Sequence, residues 1–200
     1  MKLTPDILKV LTRDKTLAPV LKLPYQRPSP SSRGLFGDLI RAIIGQQVST
    51  SAARTIYGRL ANRFENDLIT ADGLLEMSED ELRACGLSRQ KTQYLGNIAT
   101  HFMEGGLNDE DYRLMDDDAI IKDLTSIKGV GVWTVQMILL STFQRPDVFP
   151  SGDLGIQNAM KAIYGLDLKG RELIKAIEAI AENWRPFRSY ASLYLWNTLH

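Results

Sequence analysis

Residues 127–134, Ile-Lys-Gly-Val-Gly-Val-Trp-Thr, decide how this chain is read. They join two stretches with apolar residues at helical spacing, 117–126 and 132–143. The glycines at 129 and 131 permit a tight turn and close approach of another molecule to the backbone. A helix that starts directly after such a turn points its N–H groups and the positive end of its dipole outward. That combination makes an anion site that needs little help from basic side chains. Alone, a Gly-x-Gly corner describes a plain turn between helices equally well, so the flanking residues carry the decision.

Outward from the turn, helical signals recur to both ends. Thr4 before Pro5 reads as an N-cap followed by proline at the first helical position. Residues 35–46 place Leu35, Phe36, Leu39, Ile40, Ile43 and Ile44 on one face, and 50–64 continue with Ala52, Ala53, Ile56, Tyr57, Leu60 and Phe64. Ser78 and Glu81 form a capping box for a short helix ended by Gly86. Ser88 caps a longer one with Tyr94, Leu95, Ile98, Ala99 and Phe102 inward. Further helices are expected at 154–164, 170–182 and 187–198, and loops at 23–34, 104–111, 145–152 and 183–186. No pair of alternating segments meets at a tight turn, and no repeat of solenoid length is visible. The expected fold is all-α, with about ten helices in two lobes, a helix–hairpin–helix motif and a cleft between the lobes.

The chain has 200 residues and a formal net charge of zero. Zero charge argues against gripping a polyanion by bulk electrostatics, but not against gripping it through backbone amides. The stretch 104–123 is strongly acidic and is expected to face away from any nucleic acid. A single cysteine, Cys85, excludes an internal disulfide or a four-cysteine metal site within one chain and favours a reducing compartment. The opening MKLTPDILKV lacks the pattern of a signal peptide, and no apolar run is long enough for a membrane span.

Beyond the hairpin comes DVFPSGDLGIQNAM, in which Asp153 opens the next helix after a Pro-Ser-Gly loop. An aspartate there is by default an N-cap. The set of motifs resembles the helix–hairpin–helix DNA glycosylase superfamily, which follows a Leu-Pro-Gly-Val-Gly hairpin with a helix and then an aspartate opening another. The matching residues are Lys128, Gly129, Val130 and Gly131, then WTVQMILLSTF, then VFPSGD. Upstream RAIIGQQVSTSAA and LRACGLSRQKTQYLGNIA, and downstream WRPFRSYASLYLW, extend the likeness over roughly residues 35–197. The resemblance implies one glycosylase domain over residues 1–200 that rotates a damaged base out of the duplex. Asp153 would stabilise the oxocarbenium-like charge on the sugar and orient or deprotonate the attacking water. Capping and catalysis are compatible if one carboxylate oxygen serves each.

Family members that also nick the strand carry a lysine two positions after the second glycine, where it attacks the sugar as an amine. Here that position is Trp133, so the resemblance implies a monofunctional enzyme that leaves the abasic site uncut. Tryptophan at this point is similar to the branch of bacterial 3-methyladenine glycosylase II, and Trp196 matches a second aromatic of that branch's base pocket. Electron-rich faces suit a base made cationic by alkylation, which leaves without a general acid. Both tryptophans could equally serve core packing. Met137 stands where the branch often has tyrosine, and the β-rich N-terminal domain of larger relatives has no counterpart in the sequence read.

Gln47, in GQQVS, matches the side chain that fills the hole left by the rotated base, with Ser49 on the same turn near the opposite strand. Gln46 and Gln47 could also do no more than satisfy a helix end. Lys128, Thr134 and Arg188 are candidate phosphate contacts beside Gly129 and Gly131. No metal-ligand cluster is visible and no cofactor is expected to be required, although hairpin carbonyls are compatible with a monovalent cation by resemblance. The expected activity is base excision repair: hydrolytic release of 3-methyladenine and 7-methylguanine from double-stranded DNA by an intracellular monomer, bacterial or nuclear, away from membranes. Deaminated or etheno-adducted bases are the neighbouring alternative. A non-catalytic helix–hairpin–helix DNA clamp and a helical protein-interaction domain are the alternatives from other classes.

Overall fold

The computed structural model describes residues 3–23, 31–105 and 108–198. Among these all regular structure is helical: α1 Pro5–Leu11, α2 Gly34–Gly45, α3 Thr50–Ala61, α4 Ala71–Glu76, α5 Glu79–Ala84 and α6 Arg89–Gly105 come first. There follow α7 Asp109–Leu114, α8 Asp117–Thr125, α9 Val132–Ser141, α10 Leu154–Tyr164, α11 Gly170–Ala181 and α12 Arg188–Asn197. Most of the predicted helices appear within two residues of their expected ends. Two were missed. α4 and α7 have six residues each, too few for an apolar period to show. The loop expected at 104–111 is corrected by α7, which starts where Asn108 and Asp111 cap each other. The loop expected at 183–186 contains a 3₁₀ turn, Glu182–Trp184. Most of the predicted loop at 23–34 lies outside the described residues, and its end, Gly34, already belongs to α2.

The chain divides into two compact units, one of residues 30–138 and one of residues 1–29 with 139–200. In the first, α2 buries Leu35, Leu39, Ile40, Ile43 and Ile44, the stripe predicted from spacing. Each such side chain contributes roughly 1.5–3 kcal/mol by leaving water. α2, α4 and α5 pack on α6, which buries Thr92, Leu95, Ile98 and Ala99. The acidic stretch is put to structural use. Asp109 receives the Leu35 N–H at the start of α2, Asp116 caps α8, and Asp123 accepts from the buried Tyr112 hydroxyl at 2.5 Å, with His101 Nε2 at 3.1 Å. Burial and Asp123 together push the Tyr112 phenol well above its usual range.

In the second unit α1, α10, α11 and α12 enclose a core that includes Leu11, Ile156, Met160, Ile177, Trp184 and Leu195. Asp14 ties the N-terminal segment to this core, accepting from Tyr164 Oη at 2.6 Å and Trp184 Nε1 at 3.0 Å. Trp184, the tryptophan given no site role by the sequence, is the one that is fully buried.

Candidate functional site

α8 ends at Thr125, and a turn closed by Val130 N–H donating to the Ile127 carbonyl at 3.0 Å leads into α9. The two glycines of this hairpin differ in purpose. Gly129 has φ +108°, and a Cβ there would lie 2.3 Å from Cγ of Tyr94, so the fold itself demands glycine. A Cβ at Gly131 would meet nothing within 4 Å, and the residue is exposed. No internal packing calls for a glycine at 131. The first helical bond of α9 runs from Val135 N–H to the Gly131 carbonyl at 3.1 Å. The amides ahead of it, at Val132, Trp133 and Thr134, belong to the first turn, where the helix itself supplies no acceptors. Lys128 is exposed beside them, and its carbonyl accepts from Asn97 Nδ2 at 3.0 Å. Thr134 is 3% exposed, so its hydroxyl is not presented to solvent and only its backbone faces the helix start. Arg188 is corrected as a phosphate contact. Its guanidinium is bound to Asp147 through Nε at 2.8 Å and to Glu182 through Nη1 at 3.3 Å, in a network that includes Arg185.

The turn between α2 and α3 belongs to the same unit. Gln46 caps α2 and its amide reaches the Gly129 carbonyl at 3.5 Å, so this residue does satisfy a helix end. Gln47 is exposed, with φ +55°. Ser49 is the N-cap of α3, accepting from the Ala52 N–H at 3.2 Å and facing Ser51 Oγ at 3.1 Å. Behind the turn lies a cavity of about 700 Å³. Trp133 and Met137, one turn apart on α9, line it together with Gln47, Tyr57, Arg41 and Arg54. Trp133 is 46% exposed, which sets it apart from a packing residue. Sequence reading assigned Tyr57 to the core and passed over Arg41 and Arg54. Ala53 and Tyr57 of the predicted apolar face of α3 line this cavity, and only Leu60 and Ala61 of the helix are buried. Burial pushes the Tyr57 phenol above its usual range, against a smaller opposite pull from Arg33 and Arg41. Arg33 is neutralised by Asp38 at 2.9 Å, whereas Arg41 and Arg54 form no ion pair among the described residues.

Asp153 lies in the other unit. It is the N-cap of α10, with Oδ1 accepting from Ile156 N–H at 2.9 Å and from Trp196 Nε1 at 2.7 Å. Its own N–H donates to the Pro150 carbonyl at 2.9 Å, Gln157 Nε2 donates to the Ser151 carbonyl at 2.9 Å, and Ser151 Oγ donates to Glu178 Oε1 on α11 at 2.6 Å. The carboxylate is half-buried and fixed in orientation through one oxygen. Trp196 therefore does something the sequence did not show: besides packing on the core, it orients Asp153. The capping function expected of an aspartate is present.

This chain belongs to the HhH-GPD superfamily of base excision DNA repair proteins, whose model matches residues 40–186. DNA-3-methyladenine glycosylase 1 of Schizosaccharomyces pombe is 34% identical over 167 residues, 82% of this chain and 72% of that protein. YfjP of Bacillus subtilis is 33% identical over 171 residues, 82% of this chain; the chain spans 59% of the length of that protein. Among solved structures, the 3-methyladenine DNA glycosylase of S. pombe in complex with abasic DNA superposes with a TM-score of 0.82. It is 29% identical, and the match covers 96% of each chain.

Gln47→Ala is expected to slow single-turnover base release from duplex DNA about tenfold, since an exposed side chain with no hydrogen bond among the described residues is removed without cost to the fold. An unchanged rate on duplex DNA would rule out the space-filling role.

Proposed function

We propose that this chain is a monofunctional DNA glycosylase that rotates alkylated purines out of double-stranded DNA and releases them by hydrolysis, with 3-methyladenine as the principal lesion and 7-methylguanine as a second. The observation that carries the reading is Asp153, an aspartate whose orientation is fixed by both the start of α10 and the Trp196 indole. Its negative charge would stabilise the sugar as the C1′–N bond breaks and the bonding pair leaves with the base. Water then adds at C1′ and gives up a proton toward the carboxylate, leaving free base and an abasic deoxyribose. A base carrying a full positive charge departs neutral, so no general acid is needed. Trp133 and Met137 would face the everted base, and Trp133 at the position of the strand-nicking lysine leaves no amine to form a Schiff base.

The hairpin residues Gly129 and Gly131, with Lys128 and the backbone at Thr134, would hold one phosphate. Arg41 and Arg54 support the reading, since they set positive charge locally at the cavity although the charges of the whole chain sum to zero. Arg41→Gln and Arg54→Gln are each expected to flatten the dependence of log binding constant on log salt by about 0.9. A slope equal to wild type in both would place these arginines off the DNA path. The carbonyls of Ile127, Lys128 and Gly129 each accept one hydrogen bond already. A monovalent cation held there would use their second lone pairs, and its contribution would be to phosphate binding alone. No helix among the described residues is long and apolar enough to cross a membrane, and the work on DNA that we propose belongs inside the cell, with the protein acting as a monomer.

The test is base release from duplexes carrying 3-methyladenine or 7-methylguanine, in EDTA, with borohydride present to trap any Schiff base. Free base, an alkali-labile strand and no trapped adduct are expected. Failure to release these or any etheno-adducted or deaminated base, with duplex binding retained, would make the protein a non-catalytic clamp.

A further inference from the structure

We infer that Lys91 is a positioning residue for base eversion: from one face of α6 it fixes the turn that carries Gln47, while Tyr94 and Asn97 on that same face fix the hairpin. The role of Gln47 rests on the glycosylase reading; the coupling of the two loops rests on geometry alone.

Lys91, Tyr94 and Asn97 are spaced three apart on α6 and so lie along one side of the helix. Lys91 Nζ donates to the Ile44 carbonyl at 2.7 Å and to the Gln46 carbonyl at 2.8 Å. These carbonyls sit at the end of α2, where the helix supplies no donors and the dipole is negative. Among the described residues no carboxylate lies within ion-pair distance of this ammonium. Burial holds Lys91 below the usual lysine range. A lysine drawn from water without an acidic partner is costly, and two charge-assisted bonds to backbone are what it obtains in return.

What those bonds hold is an unfavourable backbone. Gln47 has φ +55°, a region that residues with a side chain seldom adopt. Fixing the carbonyl directly before it limits how the glutamine can swing. From the same turn the Gln46 amide reaches the Gly129 carbonyl at 3.5 Å. The Tyr94 ring lies against Gly129, its hydroxyl held by Gln90 Nε2 at 2.6 Å, and Asn97 bonds the Lys128 carbonyl at 3.0 Å. The loop that would enter the duplex and the loop that would hold its backbone thus share a single support. Their separation is set before DNA arrives.

A plain capping role would make Lys91 matter for stability and for nothing else. The experiment separates the two by reading eversion directly, as the fluorescence rise of 2-aminopurine at the target position of a duplex, beside single-turnover release. Lys91→Met keeps the aliphatic stem and removes the donors. It is expected to lower both signals about 10- to 100-fold, with affinity for undamaged duplex within about twofold of wild type. Lys91→Arg, which can donate to both carbonyls, is expected to restore eversion. In a Gln47→Ala background Lys91→Met should cause no further loss, because it acts through that side chain. Should Lys91→Met fail to fold by thermal melting, Lys91→Gln, able to serve one carbonyl, takes its place. An unchanged eversion signal in a folded variant, or losses that simply add in the double variant, would overturn the inference. Release failing in wild type while the eversion signal still depends on Lys91 would instead reject the glycosylase reading and keep the positioning role.

Discussion

Asp153→Asn is expected to slow single-turnover release of 3-methyladenine about 10²- to 10⁴-fold while leaving the melting temperature close to wild type. The two halves of this expectation come from the same geometry. Asparagine caps a helix as well as aspartate does, and its side-chain carbonyl can accept from Ile156 N–H and Trp196 Nε1 as Oδ1 does now. The negative charge is lost, and the second carboxylate oxygen becomes an NH2 donor. Asp153→Ala would instead remove the cap as well, at about 1 kcal/mol, and would confuse stability with chemistry. Thermal melts and release rates measured on the same preparation of the asparagine variant decide the matter. A rate within about fivefold of wild type, or a melting temperature that falls in step with the rate, would remove Asp153 from the chemistry.

Gly129→Ala is expected to be the most damaging change at the hairpin. It places a side chain at φ +108° and a Cβ 2.3 Å from the Tyr94 ring. Backbone strain and overpacking each cost about 1–3 kcal/mol, which in a chain of this size lowers the melting temperature by roughly 5–15 °C. Duplex binding should fall with it, because Tyr94 packs directly on Gly129 and cannot move without disturbing the hairpin. Gly131→Ala is the matched contrast. Its Cβ meets nothing within 4 Å, so the fold should be untouched and DNA affinity alone should drop. Equal stability loss in both variants, measured by calorimetry, would contradict the separate purposes assigned to the two glycines.

The hairpin, the helix after it and the aspartate beyond it were legible because each depends on local chemistry: glycine at a turn, apolar residues at helical spacing, a carboxylate at a helix start. The capping box at Ser78 and Glu81 formed for the same reason, with Ser78 N–H donating to Glu81 Oε2 at 2.9 Å. What the sequence hid depends on residues far apart in the chain. The bond from Trp196 to Asp153 spans 43 positions, and the bonds from Lys91 to the end of α2 span 45 and 47. No periodicity reports such pairings. The cavity was misread for a related reason: Tyr57 and Ala53 repeat at the spacing of a core face, yet that face borders open space. Arg188 was read as a candidate phosphate contact because Asp147, which binds it, lies 41 positions away.

The division of the chain has a bearing on how the protein is made. The unit with the hairpin and the glutamine turn is one continuous stretch, residues 30–138, whereas the unit with Asp153 is assembled from residues 1–29 and 139–200. On the ribosome the first can close as soon as its own residues have emerged, since contiguous units fold as they appear. The other must keep its opening segment waiting until α11 and α12 are synthesised, because Asp14 bonds to Trp184 and Asp153 to Trp196. A chain released early would therefore carry the hairpin and the glutamine turn without Asp153 held by Trp196. Translation has to run almost to Trp196 before the unit that contains Asp153 can close.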